Sequence, residues 1–65
     1  MTAPSEREAF VWAGDAARAR RLVALQLAEQ RLIVVRTITC EPVRPVRFDS
    51  DGSCEWRIVA RVSER

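Results

Sequence analysis

Between Cys54 and Val62 an apolar residue stands at every second position. Cys54, Trp56, Ile58, Ala60 and Val62 alternate with Glu55, Arg57, Val59 and Arg61. Side chains of a β-strand point alternately to opposite faces, so this spacing demands a strand with one covered face. A strand cannot cover itself, and the chain has only 65 residues in which to find its partners and its cover. Just upstream, Asp49-Ser50-Asp51-Gly52 is a turn signal: Asp side chains accept local backbone hydrogen bonds, and Gly adopts positive φ freely. A hairpin closed there sets Phe48 opposite Cys54 and Val46 opposite Trp56, with Arg47 opposite Glu55 on the other face.

The partner strand is Leu32 to Cys40, a β-branched run, followed by Glu41-Pro42-Val43-Arg44-Pro45. Two prolines in four residues exclude that stretch from a central strand. Leu32, Val34, Ile38, Cys40, Val46 and Phe48 are even-numbered, as is the apolar set of the last strand, so one covered face is expected for all of them. The other face then carries Ile33, Val35, Thr37 and Val59 among Arg residues and is a candidate contact surface.

The cover is a helix from about Ala16 to Gln30. Asp15 is a strong N-cap, and Ala, Arg, Leu and Gln are good helix formers. Ala16, Ala19, Val23 and Leu27 share one face, while Leu22 and Leu25 lean to another side. A helix apolar on more than one side is covered on more than one side, and a second subunit is the expected cover. Before Gly14, the bulky run Phe10-Val11-Trp12 suggests a first strand over about Glu8 to Ala13. The Ser5/Glu8 capping-box spacing makes a short helix the alternative. Met1 to Arg7 is read as a loose arm. The fold class expected is α+β in the order β-α-β-β, one helix on a small, mainly antiparallel sheet, as a single domain of residues 1–65.

Composition removes much of enzymology. The chain has 11 Arg and 9 acidic residues but no His, Lys or Tyr. There is no imidazole base or ligand, no Schiff-base lysine, and two Cys cannot fill a four-thiolate zinc site. The acidic residues show no paired placement for acid–base work, so the chain is read as non-catalytic, with no metal and no cofactor. Asp49 to Gly52 resembles part of a calcium loop but lacks the remaining oxygen ligands and flanking helices, which leaves a plain turn. No stretch reaches the roughly 18–20 apolar residues of a membrane span, and the first residues lack the features of a signal peptide. A cytoplasmic protein is expected, with both Cys reduced and buried as small apolar residues. In the proposed register Cys40 lies across from the region of Val62 and Cys54 across from Phe48, too far apart for a disulfide.

Six residues stand out as candidate binding residues. Arg18, Arg20 and Arg21 crowd the start of the helix, where positive charge opposes the helix dipole, although Arg20 lies far round from Arg18. Arg44 and Arg47 flank the prolines. Trp12 is expected in the core, or, if exposed at its strand end, as an interface anchor. Guanidinium groups suit phosphate or carboxylate partners.

The layout of a short strand ending Ala13-Gly14-Asp15, an Ala/Arg helix from Ala16 to Leu27, and two strands resembles small phage and mobile-element proteins, anti-CRISPR proteins among them. The resemblance covers residues 8 to 63, is topological and carries no signature residues. It implies a compact chain that acts by occupying a surface on a larger protein. Three functions follow in order: stoichiometric protein–protein contact, one form of which is a phage- or mobile-element-encoded inhibitor; a nucleic-acid-binding homodimer with an Arg-bearing surface; and a structural oligomer subunit. A domain this short buries only about 60% of its unfolded surface, and 48% apolar content also favours a homo-oligomer, a dimer in the simplest case.

Overall fold

The computed structural model describes residues 5–64. It contains β1 (Ser5–Ala13), α1 (Ala16–Glu29), β2 (Leu32–Pro42) and β3 (Cys54–Glu64). The α+β class and the β-α-β-β order are those the sequence indicates. The sheet order is β1-β3-β2, and both outer strands run antiparallel to β3. β1 and β2 are therefore parallel to one another, joined by α1, with the last strand inserted between them. The strand with the sharpest alternation is the central one because it has a neighbour on both sides and a helix over one face.

Asp15 sits in extended backbone and its carboxylate accepts from the Arg18 amide at 2.7 Å, which starts the helix. A cap of this kind is worth about 1 kcal/mol. The helix has no acidic residue in its first turn and no basic residue in its last, so its charges do not favour its own dipole. Packing holds it instead: Ala19, Val23 and Leu27 are buried against the sheet. It ends where Arg31 takes a φ of 61°, with the Gln30 and Arg31 amides bonded back to Leu27 and Ala28. The core is completed by Val11 and Ala13 from β1, Leu32 from β2, and Ile58, Ala60 and Val62 from β3. Trp56 packs on its margin, and its indole N–H donates to the Ala13 carbonyl at 3.0 Å, tying the end of β1 to β3.

Four expectations need correction. Residues 5–7 are strand, not arm or helix; residues 1–4 lie outside the described residues. β3 is long enough to pair Ser5 with Val62 and Glu6 with Arg61, and the Glu6–Arg61 ion pair supports that end.

The even-number rule also fails inside β2. Register shifts between Val34 and Arg36 and between Thr37 and Thr39 make Val35 and Ile38 extra residues. Between the bulges the facing reverses: Thr37, not Arg36, stands opposite Ala60 on the helix side. The second bulge restores the original parity, so Cys40 again faces inward, now opposite Ile58 rather than near Val62. Ile38 is left exposed.

The hairpin is right at its tip and wrong above it. Phe48 does bridge Cys54, but Pro42, not Val46, stands opposite Trp56. Residues 43–47 leave the ladder as an excursion, and its Arg44–Pro45 peptide bond is cis. Phe48 and Val46 are exposed. Gly52 has a φ of 87° in the tip turn, where its amide donates to the Asp49 carbonyl at 3.0 Å. The Asp51 carboxylate accepts from the Ser53 amide at 2.9 Å, which holds its pKa below the ordinary value. That bond supports the tip above the ordinary carboxylate range and is lost as pH falls through the lowered value.

Both cysteines are free thiols, Cys54 buried and Cys40 half-buried. Trp12, read first as a core residue, is the fourth correction. It points away from the helix and is 52% exposed.

Candidate functional site

The alternation that buries Val11 and Ala13 places Phe10 and Trp12 on the opposite face of β1. Both are about half exposed, on a strand held along its whole length by β3. Two aromatic rings two residues apart on an uncovered sheet face form a rigid apolar platform. The rest of that face follows from the register. Trp12 lies beside Glu55, Phe10 beside Arg57 and then Glu41, Glu8 beside Val59 and then Thr39, and Glu6 beside Arg61 and then Arg36.

Arg57 is at the centre of this face and is committed internally. Its Nε donates to Glu8 at 2.7 Å and its Nη1 to Glu41 at 3.3 Å, bridging both outer strands across the central one. The hydrogen bond to Glu8 is the main reason its pKa is raised above the ordinary arginine value. Arg57 therefore keeps its charge throughout the physiological range, and two acidic residues offset it.

The excursion of residues 43–47 folds beside the aromatics. Val43 is pinned there by its amide, which donates to the Glu55 carbonyl at 2.9 Å. On one side of Val43 is a hollow of about 210 Å³ lined by Phe10, Glu41, Pro42, Arg44 and Arg57. On its other side a hollow of about 110 Å³ is lined by Trp12, Pro45, Arg47 and Glu55. Each hollow joins one aromatic ring to one arginine of the excursion. Neither Arg44 nor Arg47 forms an ion pair among the described residues. Arg47 and Glu55 thus share a hollow, but not the ion pair expected of directly opposed neighbours.

The six candidate residues divide into two groups. Arg44, Arg47 and Trp12 come together at the paired hollows. Arg18, Arg20 and Arg21 are exposed on α1, in the other layer, with Arg18 close enough to Asp51 to favour its ionised form. Phe10 and Arg57 were not among the candidates. The pairing of Phe10 with Trp12 at i and i+2 was a usable signal, but Ala9, Val11 and Ala13 are apolar too. Nothing in the residues alone says which set the helix covers. The proposed contact face of Ile33, Val35, Thr37 and Val59 is broken by the bulges, which turn Thr37 inward.

A third, apolar hollow of about 390 Å³ lies between α1 and β2, lined by Ala24, Ala28, Leu32, Ile33 and Val34. Leu25 is exposed on the same helix. Among the described residues, no three His, Cys, Asp or Glu side chains gather as metal ligands would, and no helix is long and apolar enough to cross a membrane. No protein family, curated protein or solved structure shows significant similarity to this chain.

Proposed function

We propose that this chain is a non-catalytic binding domain that acts by stoichiometric contact with another protein through the outer face of its sheet. The observation that carries this reading is the joining of half-exposed Trp12 and Phe10 to the unpaired Arg44 and Arg47 in two adjacent hollows. Protein interfaces concentrate their binding energy in Trp and Arg anchors seated in such pockets. The rigidity of β1 means little entropy is lost when the rings are covered. An inhibitor that covers part of a larger protein is one form of this activity. The two free thiols fit a reducing, cytoplasmic setting.

Exposed aromatics with arginines also suit single-stranded nucleic acid, which stacks its bases and neutralises its phosphates. The charge on this face argues for protein instead. Glu6, Glu8, Glu41 and Glu55 are interleaved with Arg36, Arg44, Arg47, Arg57 and Arg61, and three of those acids are already paired with Arg57 or Arg61. A phosphate-tracking groove needs uncompensated positive charge along its length. A protein surface of mixed charge matches this pattern directly.

Fluorescence anisotropy with labelled single-stranded DNA and RNA, at low and at physiological salt, tests the choice. The expected outcome is no saturable binding at physiological salt, together with specific co-purification of a protein partner that the Arg44→Glu/Arg47→Glu variant no longer retains. Tight nucleic-acid binding that weakens steeply with salt and disappears in that variant would transfer the site to the second reading.

A further inference from the structure

The two edges of the sheet are unlike. β2 is interrupted by two bulges and ends in proline, features that keep an edge from pairing with another strand. β1 has none of these. It pairs with β3 over nine consecutive residues without a register shift, contains no proline, and has no neighbour on its far side among the described residues.

The groups left open on that far side can be identified. The Val43 amide donates to the Glu55 carbonyl and the Asp49 amide to the Ser53 carbonyl. Odd-numbered residues of β3 therefore direct their backbone groups toward the β2 side, and even-numbered ones toward β1. Their β1 partners are the odd-numbered residues Ser5 to Ala13. The amides and carbonyls of Glu6, Glu8, Phe10 and Trp12 remain, all aimed at the open edge.

We propose that this edge pairs with the same edge of a second copy of the chain, antiparallel about a two-fold axis at Ala9, to give a six-stranded sheet. Charge and overlap together select the register. An axis at Arg7 sets that arginine against itself, and an axis at Glu8 does the same for the glutamate. An axis at Ala9 brings no like charges together and opposes every residue of the strand: Ser5 with Ala13, Glu6 with Trp12, Arg7 with Val11, and Glu8 with Phe10 of the second copy. The open backbone groups of Glu6, Glu8, Phe10 and Trp12 then find partners in one another. The dimer also closes. Its two outer edges are both β2, where the bulges stop further addition. The aromatic pair of each copy lies on the same sheet face, so the joint platform holds both pairs side by side. The dimer neither requires nor blocks the protein contact proposed above.

Light scattering coupled to size exclusion, at micromolar concentrations, should give twice the protomer mass of 7.4 kDa. Glu8→Pro removes an outward-facing amide and no backbone hydrogen bond to β3, at the loss of the exposed Glu8–Arg57 ion pair, and it should return the mass to that of the protomer with the circular dichroism of the fold retained. Ala9→Cys supplies a test that does not depend on how proline is tolerated. In a non-hydrogen-bonded antiparallel pair the two Cα atoms are about 4.5 Å apart, within disulfide reach. Oxidised glutathione should therefore convert the Ala9→Cys protein into a covalent dimer. The parent protein and the Arg7→Cys variant, whose site faces Val11 of the second copy, should remain uncrosslinked. A protomer mass for the parent chain overturns the proposal. So does a dimer in which Ala9→Cys fails to crosslink, since the interface would then lie elsewhere.

Discussion

Ile58→Ala should leave a large fraction of the chain unfolded in plain buffer. Ile58 is at the middle of the central strand, 1% exposed, between Ala9 on one side and Cys40 on the other, with the helix above it. Truncating a buried isoleucine to alanine costs about 2–5 kcal/mol. A single core in a chain this short supplies only about 3–5 kcal/mol in total. The two quantities are of one size, so the substitution removes most of the stability. The neighbouring residues cannot collapse into the gap easily, because the surrounding core is made of Ala, Val, Leu and Ile side chains already in contact with one another. Val59→Ala, one residue along and on the outer face, should shift the urea midpoint far less. Loss of the near-ultraviolet signal of the two tryptophans would report the unfolding. A cooperative melt at the parental midpoint would show that the described core is not the one that holds the protein.

Trp12→Ala should have the opposite profile, an unchanged melt and a partner affinity lowered by about 30-fold or more. Anchors of this type lose about 2 kcal/mol or more on truncation, and each 1.4 kcal/mol is about a factor of ten. Trp12 is half exposed in the free protein, so little of the fold depends on it. Arg47→Glu, in the same hollow, should weaken binding as well. Arg20→Glu, on the helix layer, should leave it intact. Calorimetric titration of each variant against the co-purifying protein measures all three. Equal loss from Arg20→Glu would move the site to the helix, and full retention by Trp12→Ala would remove the platform from the interface.

The contrast between these two tryptophans shows where residue patterns are informative. Trp56 lies in a strand whose odd positions are mostly charged or polar, so its inward direction could be read from the alternation. Trp12 lies among apolar neighbours of both parities, and only the packing of α1 decides its facing. The helix was legible because Asp15 and the 3.6-residue spacing of Ala19, Val23 and Leu27 state it locally. The bulges were not, because Val35 and Ile38 are ordinary strand residues and a bulge is a property of two strands together. For the same reason Arg44 and Arg47 could be named as candidates, while their meeting with Phe10 and Trp12 could not. That meeting depends on how residues 43–47 leave the ladder. The order of strands in the sheet was likewise invisible, since all three strands are able to pair and the central place goes to the one that suits both neighbours.

The two extra residues of β2 have a consequence for how this gene can change. Deleting Val35 and Ile38 together would straighten the strand without altering which residue faces which partner, so the monomer should still fold. It would then possess two straight, compatible edges instead of one. With only Pro42 left to guard one end of the second edge, copies should add edge to edge, and a shortened chain that looks harmless protomer by protomer should assemble into fibres detectable by thioflavin fluorescence. The bulges act as a stop codon for assembly, written in two residues whose side chains do little else.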